Sequence, residues 1–209
     1  MKNASLIPKQ LFGEDGMIRD VGEIAVPIIA SISKRTNSQR SMATLSIGLI
    51  MEDFHISPKN AAAKKRIQEG LQSLCNCNLI EIKDLSARKI NDAFDIFIYY
   101  ERVPFIKLYD HEFDVIASYD KGDNIKLLMI FLYIVQHISE KTKQPTWVTV
   151  ETIAKYFNMH ENTVRKYIKM LREDIGVIFR KGKKKTPDGN MIHLHTRNIT
   201  EYIHQHKER

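Results

Sequence analysis

The sequence is poor in cysteine. Its 209 residues include two, Cys75 and Cys77, separated by a single residue. Two thiols cannot form a disulfide framework, and this short spacing disfavours a bridge between them. The sequence has no second cysteine pair at the spacing of a zinc site. We therefore interpret both as ordinary, partly buried side chains and expect neither a metal nor a cofactor.

Long hydrophobic runs are also missing. The longest, from Leu127 to Val135, has nine residues, whereas a membrane-spanning helix needs about 18–20. The segment from Met1 to Leu11 lacks the apolar stretch of a signal peptide. We expect a soluble, cytoplasmic protein without a membrane partner.

Signatures of catalysis are scarce. The sequence has no glycine-rich phosphate loop, nucleophile elbow, kinase motif or deaminase motif. Its many carboxylates form no recognisable pair for acid–base chemistry. We expect that the chain is not an enzyme.

One catalytic arrangement stays open as a minor alternative. His193 and His195 flank one hydrophobic residue and would share a face of a strand. With Tyr202 downstream, they resemble the metal-binding strand and nucleophile of nucleases that nick DNA during rolling-circle replication. That family needs a sheet-rich domain around the motif, whereas here the motif falls on the last strand of a predicted hairpin. His204 and His206 are expected to face solvent on a terminal helix.

Positive charge is present in excess and is unevenly distributed. The formal net charge is +7, and 43% of the residues are hydrophobic, enough to fill folded cores. Residues 141–209 contain 15 Lys and Arg against 7 Asp and Glu, while residues 1–140 contain 17 against 18. The excess therefore lies in the last third, which favours an anionic partner for that region.

The first half shows an order of three helices and a hairpin. A helix is predicted at Val21–Lys34, where Pro27 would bend it or delay its start, and a second at Met42–Phe54. Ser57 and Pro58 are typical of a helix start. The helix that they open places four apolar residues on one face: Ala63, Ile67, Leu71 and Leu74. Asn78 is a candidate for the left-handed residue that ends this helix. Two strands are predicted after it, at Leu79–Lys83 and Ala93–Tyr100.

The same order recurs in the second half. After a candidate strand at Phe105–Leu108, Asp123 can cap a helix from Asn124 to Ser139 that is apolar almost all round, as expected of a central packing helix between two halves or at a dimer seam. Thr149 can cap a short helix that reaches Phe157. The remaining predicted elements are a helix at Glu161–Glu173, its end at Gly176, and strands at Val177–Lys181 and Met191–His195 joined by a turn at Thr186–Asn190.

The stretch from Thr149 to Arg172 resembles the helix-turn-helix of the winged-helix family. The residues that carry the resemblance are Ile153 and Ala154 on the first helix, Thr163 and Val164 at the start of the second, and Ile168 and Leu171 behind them. The resemblance implies that the second helix enters the major groove of DNA and that the hairpin, or wing, touches the flanking backbone.

The residues of the second helix independently favour contact with nucleic acid. At 100° per residue, Val164, Ile168, Leu171 and Ile175 form a buried stripe, and an amide and two lysines lie opposite. Asparagine can pair with adenine, and Arg or Lys with guanine. The predicted DNA-binding residues of this copy are Lys155, Asn162, Thr163, Arg165, Lys166 and Lys169, and on the wing Arg180, Lys181, Lys183, Lys184 and Lys185.

The first copy is less basic. Opposite its buried stripe lie Ala61, Ala62, Lys65, Glu69 and Gln72, with Lys64 and Arg66 on the flanks. Glu69 would repel phosphate, whereas the alanines would allow a backbone to approach closely. Lys64 and Lys65 are candidate DNA-binding residues, and a structural or dimerising role stays open.

The sequence therefore predicts a mainly helical α+β protein with small hairpins, built from two tandem winged-helix domains. We place an arm at 1–20, a first domain at 21–103, a second and main reading domain at 104–198, and a tail at 199–209. The tandem arrangement resembles that of plasmid and phage replication initiators. It implies a sequence-specific double-stranded DNA-binding protein that initiates replication or regulates transcription and that can form a homodimer. A protein-interaction adaptor, such as a replisome organiser, is the alternative.

Overall fold

The protein has a mixed α+β fold of helices and small antiparallel sheets. The computed structural model describes residues 4–12, 18, 22–36, 42–85, 89–99, 104–138, 146, 148–185 and 191–197. The chain forms two compact units, residues 1–128 (unit 1) and 129–209 (unit 2). Among the described residues, no helix combines the length and apolar character needed to cross a membrane.

Unit 1 contains most of the elements. In chain order they are β1 (Ala4–Pro8), α1 (Ala25–Arg35), β2 (Met42–Leu45), α2 (Ile47–Asp53), α3 (Ala61–Asn76), β3 (Ile80–Ile82), β4 (Phe94–Ile98), β5 (Phe105–Tyr109), α4 (Asp110–Ala117) and the start of α5 (Asn124–Val135). Strands β2, β4 and β3 form one antiparallel sheet in that order.

Two helix starts in unit 1 differ from the prediction. The segment Met42–Leu45 is a strand, not the beginning of a helix, because it pairs with β4. Helix α2 starts after Ser46, whose Oγ accepts the Leu49 N–H at 3.2 Å. Helix α3 starts after Asn60 instead of Ser57, since the Asn60 side chain accepts the Ala63 N–H at 3.0 Å.

The first residues also differ from the predicted arm. Strand β1 pairs antiparallel with β5, from Ala4 opposite Tyr109 to Pro8 opposite Phe105. Ile7 on β1 is completely buried. This part of the chain is therefore a structural strand of unit 1.

The core of unit 1 is held by close contact between α1 and α3. A Cβ on Gly70 would lie 2.5 Å from Ile24 Cγ2 and 2.7 Å from Ile28 Cδ1, so the glycine permits this approach. A two-bond ion pair between Arg35 and Asp53, at 2.5 and 2.8 Å, adds a polar link from α1 to α2.

Unit 2 begins within α5, where the apolar run predicted to be buried is buried: no residue from Leu127 to Val135 is more than 6% exposed. Helix α5 ends at Val135, earlier than the predicted Ser139. The later elements are α6 (Val150–Tyr156), α7 (Glu161–Lys169) with a π-helical extension at Met170–Asp174, β6 (Ile178–Lys185) and β7 (Met191–Arg197).

The two units repeat one order of elements. In unit 1 a helix, a strand, two helices and two strands follow each other, and the first of these strands pairs with the last. In the second series, Thr146 lies between α5 and α6 and forms an isolated bridge to His195 on β7, which pairs with β6. Both series therefore place the segment after the first helix beside the last strand.

Candidate nucleic-acid interface

Helices α6 and α7 are joined by a tight turn with defined caps. Thr149 caps α6 as predicted, its Oγ1 accepting the Thr152 N–H at 3.0 Å. Asn158, in the turn, has a φ of 51°. Helix α7 is capped by His160, whose Nδ1 accepts the Asn162 N–H at 3.2 Å.

Helix α7 separates an apolar face from a polar face. Val164, Ile168 and Leu171 are buried, which confirms the predicted stripe, while Ile175 is half-buried. The predicted reading residues of the helix are all exposed: Asn162, Thr163, Arg165, Lys166 and Lys169. Lys155 on α6 is exposed as well.

Two of the three cations on α7 form ion pairs with carboxylates of the same helix or its extension. Arg165 donates to Glu161 at 2.9 Å, and Lys169 lies 3.7 Å from Glu173. Within the described part of the chain, Lys166 has no ion-pair partner. Lys166 is therefore the cation of the polar face that can meet an anion without first leaving a carboxylate.

Glu173 is held in its ionised form at the end of this helix. A hydrogen bond from Arg172, supported by the charges of Arg172 and Lys169, holds the pKa of Glu173 below its ordinary value. The carboxylate thus offsets part of the positive charge at the C-terminal end of the polar face.

The helix end directs the chain into the hairpin. After the π-helical turn, the Ile175 N–H donates to the Met170 carbonyl and the Val177 N–H to the Leu171 carbonyl. Gly176 has a φ of 76°, the left-handed conformation that the sequence predicted there. Strand β6 follows at Ile178.

The hairpin carries the predicted wing residues on β6. Arg180 is exposed, and a register irregularity lies between Arg180 and Gly182, at Lys181. Lys183, Lys184 and Lys185 lie opposite His193, Ile192 and Met191 in the ladder. The predicted turn at residues 186–190 falls outside the described residues.

Helix α3 of unit 1 has a similar buried stripe but a different polar face. Its buried residues Ile67, Leu71 and Leu74 have the spacing of Val164, Ile168 and Leu171 in α7 and its extension. When the stripes are matched, Lys65, Glu69 and Gln72 occupy the positions of Asn162, Lys166 and Lys169. Lys65 is 3.7 Å from Glu69, and Lys64 is half-buried.

Comparison with known proteins agrees with this geometry. Residues 126–174 match a family model described as a helix-turn-helix domain. The match covers most of α5 together with α6, α7 and the π-helical extension, and this helix-turn-helix suggests that the chain binds DNA. No curated protein and no solved structure matches the chain.

Two features of the site were not anticipated from the sequence. The Glu161–Arg165 pair has the four-residue spacing that predicts a helical ion pair, so the signal was present. The capping role of His160 had no such signal, because Ser, Thr, Asp and Asn are the residues typical of that position.

Other candidate residues lie on other elements or outside the described residues. Cys75 and Cys77 are half-buried free thiols, and burial raises the pKa of Cys75. His195 is buried on β7 at 5% exposure. Tyr202, His204 and His206 lie outside the described residues.

Proposed function

We propose that this chain is a sequence-specific double-stranded DNA-binding protein whose main reading element is helix α7. The observation that carries the proposal is the polar face of α7, where Asn162 and Lys166 are exposed opposite the buried residues Val164, Ile168 and Leu171. An amide and a cation are the groups that pair with adenine and guanine in the major groove.

The hairpin of unit 2 would hold the DNA backbone. Strand β6 runs directly from the end of the reading helix and contains five cations between residues 180 and 185. Lysines and arginines that meet phosphates position a protein on DNA without selecting a sequence. In this proposal unit 2 is a winged-helix domain, with β6 and β7 as its wing.

Unit 1 would be the second winged-helix domain of a tandem. Its support is the repeated order of elements and the common placement of the segment after the first helix beside the last strand. A chain with two such domains suits a replication initiator or a transcriptional regulator of a plasmid or phage element. The DNA sequence that the protein selects distinguishes the two roles. Repeated copies of a site would indicate a replication initiator, and a single site would indicate a transcriptional regulator.

The proposed role is binding, not catalysis. In the nicking alternative His193 and His195 would have to hold a metal at an accessible site, and the burial of His195 on β7 disfavours this. A divalent-metal-dependent nick in supercoiled DNA that disappears in Tyr202→Phe would overturn the proposal.

Fluorescence anisotropy across a salt series tests the DNA-binding function. We expect steep salt dependence and a large preference for a selected duplex over a random pool, because phosphate contacts release counterions and base contacts select sequence. Asn162→Ala and Lys166→Ala should each weaken specific binding by about 1–3 kcal/mol. Weak, salt-insensitive binding to both duplexes would contradict the proposal.

The wing variant serves as the matched comparison. Neutralising Lys183, Lys184 and Lys185 should weaken binding to all sequences and reduce the salt slope by about 0.9 for each phosphate that the variant no longer neutralises. Equal effects of the helix and wing variants on selected and random DNA would contradict the division into a reading helix and a backbone clamp.

A second function is favoured for unit 1 by its sheet. On β4, Phe97 is 37% exposed, and Tyr99, which directly follows the strand, is 59% exposed and hydrogen-bonds to Glu81 on β3. Aromatic residues are enriched at protein–protein interfaces relative to the rest of a protein surface. Unit 1 is therefore a candidate for binding a protein partner or a second copy of the chain while unit 2 binds DNA.

A further inference from the structure

The first turn of the reading helix carries an ion pair beside the exposed polar face. Glu161 is the first residue of α7, and its carboxylate accepts a hydrogen bond from Arg165 at 2.9 Å. Both side chains are exposed, Glu161 at 47% and Arg165 at 60%. In helix-turn-helix proteins the N-terminal residues of the recognition helix contact base edges. Glu161 and Arg165 therefore lie where DNA bases would arrive.

The charges of this pair do not suit general attraction to phosphate. A carboxylate at the front of a DNA-binding helix repels the backbone, and it also occupies an arginine that could otherwise bind phosphate. Lys166, one residue further on, has no such partner within the described residues. On bound DNA the pair would therefore lower affinity for all sequences, which is a recognised way of gaining specificity against wrong partners.

The chemistry of the pair matches one base pair in particular. A guanidinium has five N–H donors, and Arg165 uses one of them in its hydrogen bond to Glu161. Further donors can therefore bond to a base. The carboxylate likewise has further acceptor capacity. In the major groove guanine offers two acceptors, O6 and N7, while cytosine offers the N4 amino donor. Arg165 can donate to guanine while Glu161 accepts from cytosine.

We infer that Glu161 and Arg165 together form a specificity-determining pair that recognises a G·C base pair in the DNA bound by α7. The inference rests on the proposed function, since it requires α7 to lie in the major groove. At a G·C pair the carboxylate gains a donor. At an A·T pair the carboxylate faces two acceptors, thymine O4 and adenine N7, as well as the adenine amino group. The arginine then finds one acceptor on the purine, N7, where guanine has two.

Glu161→Gln in the full chain tests the inference. The variant keeps the shape of the side chain and removes its charge, so Arg165 becomes able to bind phosphate. Affinity for a random-pool duplex should rise, and the salt slope should steepen by about 0.9 for one further neutralised phosphate. The ratio of specific to random affinity should fall about tenfold, within the range expected when one base is no longer recognised.

Glu173→Gln is the matched control. It removes one negative charge from the other end of the same polar face, where the carboxylate also pairs with an arginine and a lysine. It should raise affinity for selected and random DNA by the same factor. The thermal unfolding midpoints of both variants should lie within a few degrees of the wild-type value, because an exposed carboxylate in an ion pair or in the first turn of a helix contributes about 1 kcal/mol or less.

A base-substitution scan of the selected duplex completes the test. Glu161→Gln and Arg165→Lys should both relax discrimination at one and the same G·C pair, and the double variant should relax it no further. If the wild-type chain binds a selected site but Glu161→Gln changes no single position, the specificity pair is overturned and the DNA-binding function stands. If the wild-type chain shows no sequence preference at all, both are overturned.

Discussion

At the scale of single residues, the start of the reading helix depends on an unusual cap. His160 satisfies the Asn162 N–H through Nδ1, while Asn60 caps α3 by accepting the Ala63 N–H through its amide oxygen. Histidine is a weaker choice at this position than asparagine, serine or aspartate. The helix that carries the candidate DNA contacts is therefore less firmly capped than it could be.

Two replacements of His160 should have different effects on the free energy of unfolding. His160→Ala should lower the free energy of unfolding by about 0.5–1 kcal/mol, because the Asn162 N–H loses its partner. His160→Asn should keep the acceptor and match or exceed the wild-type stability. Urea denaturation followed by far-UV circular dichroism measures both. A His160→Ala variant as stable as the Asn variant would show that the cap contributes nothing.

At the scale of elements, unit 1 depends on how closely α1 and α3 approach. Gly70 lies on the buried face of α3, and the side chains of Ile24 and Ile28 occupy the space that any Cβ would need. A glycine within a helix normally costs stability relative to alanine. Its presence here is explained by packing between the two helices.

Gly70→Ala should therefore destabilise the protein although it favours the helix. The overpacking of a core costs about 1–3 kcal/mol, and the gain in helix propensity is at most about 1 kcal/mol. With the full gain in helix propensity, we expect a net loss of up to about 2 kcal/mol in urea denaturation. Arg66→Ala, on an exposed position of the same helix, is the control and should change stability little. An increase in stability for Gly70→Ala would mean that the helices are not in close contact.

At the scale of the whole molecule, the two units differ in the charge on the polar faces of α3 and α7. The polar face of α3 has Glu69 where α7 has Lys166, and Glu69 is paired with Lys65. The net positive charge of the chain lies after residue 140. Unit 2 should therefore supply most of the affinity, and any contribution of unit 1 should depend on the length of the DNA.

A duplex-length series tests that contribution. Replacing Lys64 and Lys65 with alanine should weaken binding to a long selected duplex, because unit 1 loses contacts with phosphates. Binding to a short duplex that accommodates only unit 2 should not change. Lys121→Ala, an exposed lysine of unit 1 outside α3, is the control. Equal binding of the variant and the wild-type chain to the long duplex would assign unit 1 to protein contact or to structure.

Local features of the fold could be predicted from the sequence because they depend on neighbours in the chain. The buried stripe of α7, the cap at Thr149 and the left-handed residues Asn78 and Gly176 all follow from spacing or from the conformational preference of one residue. The exposure of Asn162 followed in the same way, since it lies opposite the stripe.

Pairings between distant segments were decided only by the tertiary structure. Ala4–Pro8 is a strand because its backbone pairs with Phe105–Tyr109. Met42–Leu45 is a strand and not part of the predicted helix because its backbone pairs with β4. Thr146 bridges to His195 for the same reason. A short segment has no periodicity that identifies its partner, and its backbone N–H and C=O groups bond to whichever strand the folded chain brings beside it.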